Sequence, residues 1–277
     1  MSDEVDPWAR SGMLAVAIGF PLTGTAFGQL LYYFRSFPYD KLSQKLFISF
    51  LFILDVLHTY AIAYQQWRRL VHCHRQPQGT SCSATCSTTW QYKMLLGISI
   101  LVQPMVQCFY SYRIWTISGR NKVLTGTVGI LAVSAFVIAL VGTIFSEVAA
   151  INTPAVDTTI PAGILAAVCD IMIASAVCWY LRPGRSGARR TEPRIASITR
   201  VSVQAGIITS ILACLLAVFS AFPSISPYSS VVVTAVTKSY INSTIAVLNA
   251  RKPAGYDLSQ NSSIALSDVP SLTFSRL

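Results

Sequence analysis

LFISFLFILDVLHTYAIAYQQ, residues 46–66, decides the fold. It is about as long as a helix rising 1.5 Å per residue must be to cross a hydrocarbon layer roughly 30 Å thick, and most of its side chains are apolar. Asp55 and His58 lie near its middle, three residues apart, and therefore on one face of a helix. A charge at mid-membrane costs roughly 2.5 to 3.5 kcal/mol on insertion scales, so that face must meet protein or water and find a partner there.

The same signature recurs along the chain. Seven stretches reach spanning length, at about 11–34, 46–66, 94–115, 123–146, 160–181, 201–222 and 226–249, in a protein of 277 residues of which 12% are charged. The mean hydropathy is +0.53. Backbone donors and acceptors in lipid must pair within their own segment, and these runs are too long and unbroken for barrel strands. The expectation is an all-α polytopic membrane protein, a bundle of seven transmembrane helices. FPSISPY, residues 222–228, leaves little more than a tight turn between the last two helices, and a re-entrant hairpin is the alternative there. Pro21 and Pro104 fall inside spans and mark expected kinks, while Gly24 and Gly28 have the GxxxG spacing that lets a neighbouring helix approach. Packing inside the bundle is the first reading of that pair, a dimer face the second.

Trp8, Trp67, Trp90, Trp115 and Trp179 all fall at or just outside the ends of these stretches, where amphipathic rings favour the headgroup level. Lys and Arg in the connections are unevenly divided. Fifteen lie on the side that carries the C-terminus and five on the other. This predicts the N-terminus outside and the C-terminus cytoplasmic. Residues 1–10 form a short outer segment, 11–252 the membrane domain, and 253–277 a Ser-rich cytoplasmic tail too poor in apolar residues to fold alone. The first ten residues are net acidic and the first apolar run exceeds a signal-peptide core, so the first helix is expected to stay as an anchor. The net charge of +10 belongs mainly to the inner face, against anionic lipid rather than nucleic acid. Its densest part is RPGRSGARRTEPR, with Arg182, Arg185, Arg189, Arg190 and Arg194. That loop suits anionic lipid or a cytoplasmic signalling partner, and charge alone does not separate them.

Residues 67–93 hold His72, Cys73, His74, Cys82 and Cys86 without CxxC or HxxxH spacing, so one local disulfide plus a free cysteine is favoured over a metal site. Lys238 in the seventh helix invites comparison with retinal proteins. Microbial rhodopsins have an aspartate four residues earlier, where this chain has Thr234. Zinc hydrolases of the seven-helix ceramidase type need several histidines in the bundle, and only His58 lies there. No GxSxG, HExxH, Walker or GxGxxG pattern occurs in a suitable context. The expectation is a protein that is not an enzyme and uses no metal or cofactor.

Three charges, Asp55, Asp170 and Lys238, fall at similar depth in separate spans. Lys238 can pair with either aspartate or both, and Thr234, Thr237, Tyr240 and Asn242 are expected to supply further hydrogen bonds. Asp55, His58, Asp170, Lys238, Tyr240 and Asn242 are therefore the candidate polar cluster. A buried ion pair that fixes helix register and a pocket for a small-molecule ligand both fit it.

FPYDK (37–41), ILDVLHT (53–59), YRIWTISGRN (112–121), DIMIASAVCWYLRPGRSGARRT (170–191), GIITS (206–210) and TKSYINSTIAVLNARK (237–252) together resemble a large family of uncharacterised seven-helix membrane proteins abundant in mushroom-forming fungi. The resemblance implies the architecture and no activity. A receptor-like protein with a ligand site in the bundle and a basic inner loop for coupling is the leading functional reading. A proton-coupled or small-solute transporter using Asp55, Asp170 and Lys238 is the alternative, and a structural protein without ligand the third. The membrane is expected to be the plasma membrane or another membrane of the secretory pathway.

Overall fold

A computed structural model describes residues 7–72, 90–148, 158–180, 192–222 and 224–251. The described residues form seven helices: α1 Pro7–Ser36, α2 Leu42–His72, α3 Trp90–Ile117, α4 Lys122–Val148, α5 Thr159–Tyr180, α6 Glu192–Ala221 and α7 Ser229–Asn249. All seven are long and apolar enough to cross a membrane. Most exceed the stretches expected from apolar runs, because a helix continues into the headgroup region where polar side chains are solvated. α6 is extended furthest at its start, beginning at Glu192 with Pro193 in its first turn, where a missing N–H costs nothing. Between α6 and α7 the backbone closes a turn from Phe222 and one 3₁₀ turn, Ser226–Tyr228, so two full helices replace the re-entrant alternative. The expected disulfide among Cys73, Cys82 and Cys86, the arginines from Arg182 to Arg190, and the Ser-rich tail lie outside the described residues, while Arg194 falls in α6.

The helices pack in chain order around a ring that α7 closes against α1, and α3 also reaches α5 and α7 across it. The turn from α3 to α4 shows how local sequence sets a boundary. Gly119 and Arg120 both take positive φ, at 67° and 68°, which ends α3, and glycine relieves the first of these. Asn121 then caps α4, its Oδ1 accepting from the N–H groups of Val123 and Leu124.

Lipid is as apolar as leucine, so these helices are held together by close packing and interhelical hydrogen bonds rather than by hydrophobic burial. Outward faces carry exposed Phe20, Phe27, Ile130, Phe145, Ile207 and Ile211, as lipid contact requires. Gly206 brings α6 close to α5: a Cβ there would sit 2.8 Å from the Ala174 Cβ. Gly24 and Gly28 do no such thing. Both are exposed and a Cβ on either meets nothing within 4 Å, so this pair does not pack inside the bundle, because α1 turns its opposite face to α7. That face uses asparagines. Asn242 and Asn249, seven residues apart on α7, donate to the carbonyls of Leu22 and Gln29, seven apart on α1, at 3.1 and 2.8 Å. Equal spacing in the same chain direction means the two helices run parallel in fixed register.

The interior is uneven along the bundle axis. The half that carries the C-terminus is filled by Tyr33, Ile48, Leu51, Val106, Ile241 and Ile245 among others. Among the described residues of the half that carries the N-terminus, Ala15, Ala61, Ile62 and Leu95 form the buried apolar cluster. The filled end is tied at its rim, where Asp40 Oδ2 accepts from the Tyr33 hydroxyl at 2.8 Å and pairs with Arg251, whose guanidinium lies 4.8 Å over the Phe37 ring. Partial burial pushes the Asp40 carboxyl up, but the hydrogen bonds from Arg251 and Tyr33 outweigh it and hold the group below its ordinary range.

Candidate functional site

Lys238 and Asp55 are both fully buried, and the ammonium nitrogen lies 2.9 Å from Asp55 Oδ1. Nζ also donates to the Asp55 carbonyl at 2.7 Å and to the hydroxyls of Thr23 and Thr59. Thr59 stands one turn after Asp55 on α2 and therefore on the same face, and Thr23 comes from α1. Neither carboxylate oxygen of Asp55 has a directed hydrogen bond among the described residues, so its contact with Lys238 is charge against charge. The lysine's charge is thus spread over oxygens from two helices, and the aspartate's rests on the lysine alone.

Asp170 belongs to a different site. Lys238 and Tyr240 are two residues apart on α7 and so point to opposite sides of it. Tyr240 donates to Asp170 Oδ2 at 2.6 Å, and Gln107 of α3 donates to Oδ1 at 3.3 Å. Asp170 has no ion-pair partner among the described residues. The single cluster expected around Lys238 is therefore two sites, separated by the thickness of one helix.

His58 shares the inward face of α2 with Asp55 but reaches α3, where Nε2 lies 3.1 Å from Ser99 Oγ. Thr237 of α7 comes within 3.0 Å of the same oxygen. Asn242 donates to the carbonyls of Leu22 and Lys238 and serves the α1–α7 contact.

Two cavities fill the loosely packed half near the N-terminus. One, of about 350 Å³, lies among α1, α2, α3, α6 and α7 and is lined in part by Gln65, Gln66, Arg69 and Ser230. The other, of about 380 Å³, lies among α3 to α7 and ends on Ser99, Gln103, Thr237 and Tyr240. Tyr92, Leu96, Leu216 and Val233 line both, so the two adjoin. Their walls are apolar surface interrupted by hydroxyls and amides, and Arg69 is the one charged residue among them. Arg69 is engaged with the Trp8 carbonyl at 3.0 Å and with the Trp8 ring. Gln66 is 6% exposed and donates to the Ala9 carbonyl, yet its Oε1 has no partner, and neither does Gln65 Nε2. Gly12 makes room for that amide, since a Cβ there would fall 1.8 Å from Gln66 Oε1.

Of the six residues expected to form the site, only Tyr240 lines these cavities. His58 stands one hydrogen bond behind the wall through Ser99, and Asp170 one behind through Tyr240. Thr23, Gln66, Ser99 and Gln107 were not singled out from sequence, since single polar residues in apolar helices look alike until the helices are paired.

Residues 166–253 match a family of unknown function (DUF6534). The match runs from α5 to the end of α7 and so takes in Asp170, Gly206, Lys238 and Tyr240. No curated protein and no solved structure matches the chain.

Proposed function

We propose that the protein is a receptor-like, non-catalytic membrane protein that takes a small uncharged amphipathic ligand into the paired cavities near its N-terminus. The observation that carries this reading is their wall: mostly apolar, with an unpaired amide oxygen and an unpaired amide nitrogen on Gln66 and Gln65 and hydroxyls at the far end. Among the described lining residues the one charge is Arg69, and it already holds the Trp8 carbonyl and ring. The asymmetry in Lys and Arg supports placing these cavities on the outer side, with the basic stretch from Arg182 to Arg194 inside against anionic lipid or a signalling partner. A carrier that moves charge over Asp55, Asp170 and Lys238 is less well supported, because neither cavity wall includes Asp55 or Lys238 and Asp170 sits on the other side of α7.

The test is a thermal-shift screen of uncharged amphipathic compounds on protein in detergent micelles, repeated on Val233→Trp, which fills the space shared by both cavities. A compound that raises Tm of the wild type and leaves the filled variant unmoved supports the reading. Shifts equal in both proteins would sink it. Orientation has its own check, since glycosylation at the Asn261 sequon during expression would place the C-terminus outside.

A further inference from the structure

A third, much smaller cavity adjoins Asp170. Its volume is about 20 Å³, room for one water-sized body, and its wall includes Tyr110, Asp170, Ser202, Thr209, Tyr240 and Ser243. Asp170, Tyr110, Ser202, Thr209 and Tyr240 are each at least nine-tenths buried. Ser202 Oγ has no hydrogen-bond partner among the described residues, and the Tyr110 hydroxyl has only the Ser243 hydroxyl beside it.

The balance of donors and acceptors says what fits. The Thr209 proton is taken up by carbonyls of its own helix, at 3.1 Å to Ala205 or 3.2 Å to Gly206, or by the Asp170 carboxylate beside it, and Ser243 donates to the Tyr240 carbonyl at 3.0 Å. Both hydroxyls therefore offer lone pairs to the cavity rather than protons. Asp170 accepts on both oxygens, from Tyr240 and from Gln107, a pattern that suits the ionised carboxylate. An ionised carboxylate buried without a basic partner calls for a positive charge. Hydroxyl and carboxylate oxygens favour a hard cation, and no group of three or more His, Cys, Asp or Glu among the described residues offers a transition-metal set. One carboxylate balances one positive charge, and the volume admits only a small ion.

We propose that this cavity is a binding site for a single Na⁺, held by Asp170 with oxygens of Ser202, Thr209, Tyr110 and Ser243. It is distinct from the ligand cavities but touches the larger of them through Tyr240, which lines both that cavity and this one.

The experiment uses the full chain in detergent micelles, with NaCl and choline chloride compared at equal ionic strength. Radioactive ²²Na⁺ should bind saturably, displaced by unlabelled Na⁺ and not by choline. At about ten times its dissociation constant, Na⁺ should raise Tm by roughly 3–6 °C over choline. Asp170→Asn should remove both effects. If that variant fails to fold, Ser202→Ala keeps every bond drawn to the Asp170 oxygens and should weaken Na⁺ binding about two- to tenfold. The proposal is overturned if wild type binds no ²²Na⁺ saturably and has the same Tm in both salts, which would point to a protonated Asp170 beside a buried water. Undiminished Na⁺ binding in Asp170→Asn, or in Ser202→Ala, overturns it equally.

Discussion

Removing Lys238 should harm this protein more than removing Asp55, although the two form one ion pair. In Lys238→Met the Asp55 carboxylate stays fully buried with no directed hydrogen bond left among the described residues. An uncompensated buried charge of this kind costs about 3–5 kcal/mol. In Asp55→Asn the ammonium keeps the residue 55 carbonyl and the hydroxyls of Thr23 and Thr59, so three oxygens still share its charge. The expected loss is about 1–3 kcal/mol, close to that of one charged hydrogen bond. For a chain of this size, at about 2–4 °C per kcal/mol, the lysine variant should melt roughly 6–20 °C below wild type and the aspartate variant no more than about 12 °C below. Asp55→Leu combined with Lys238→Met leaves neither charge, and should recover most of the loss. The assay is thermal unfolding in detergent, read by tryptophan fluorescence, for the two single variants and the double. Equal losses in the single variants, or a double variant that melts at the sum of both losses, would refute the reasoning, because either result means the charges are not each other's compensation.

Three further outcomes follow from the packing. Gly206→Val should destabilise the bundle by about 1–3 kcal/mol through overpacking against Ala174, while Gly24→Ala and Gly28→Ala, whose new methyl groups meet nothing, should leave Tm unchanged or slightly raised. The Asp40 carboxyl is held below its ordinary value of 3.8, so its stabilising contact with Arg251 and Tyr33 is fully present above that value and is lost as pH falls through the lower folded value. A series of Tm against pH should therefore fall less steeply at the acid end in Asp40→Asn than in wild type. Asn242→Ala and Asn249→Ala should each cost about 0.5–1.5 kcal/mol, and limited proteolysis should find the α1–α7 contact loosened in the pair.

The number of helices, their positions and the inward face of α2 were legible because apolar length and i to i+3 spacing are local properties. Helix ends were less so: α6 begins at Glu192, well before the apolar run at 201, since hydropathy measures lipid contact rather than helicity. The pairing of charges was only half legible. Similar depth put Asp55, Asp170 and Lys238 in one layer, but depth says nothing of azimuth, and the turn of about 200° from Lys238 to Tyr240 sends the two acids to different neighbours. Gly24 and Gly28 misled for the same reason, as GxxxG spacing defines a close-packing face without saying whether a helix lies opposite. FPYDK and NARK, far apart in sequence, meet at the Asp40–Arg251 contact, which no reading of either segment alone could reach.

The separation of the two acids also changes which residues deserve the functional weight. Lys238 and Asp55 are the most conspicuous residues in the sequence, yet they are sealed away from both of the paired cavities, and their sequestration suits a lock between α1, α2 and α7. Tyr240 carries no charge and attracted notice only as a neighbour of Lys238. It lines the larger of the paired cavities, donates to Asp170, and borders the small oxygen-rich cavity behind that carboxylate. Any ligand that shifts the Tyr240 ring must also lengthen or turn its bond to Asp170, and so alter the oxygens offered to a cation there. By reciprocity an ion at Asp170 must then change the affinity of that ligand by the same factor. Tyr240→Phe, which keeps the ring and removes the bond, should abolish this coupling while leaving the cavity shape in place; a thermal-shift titration that still shows equal coupling in the variant would exclude Tyr240 as the link.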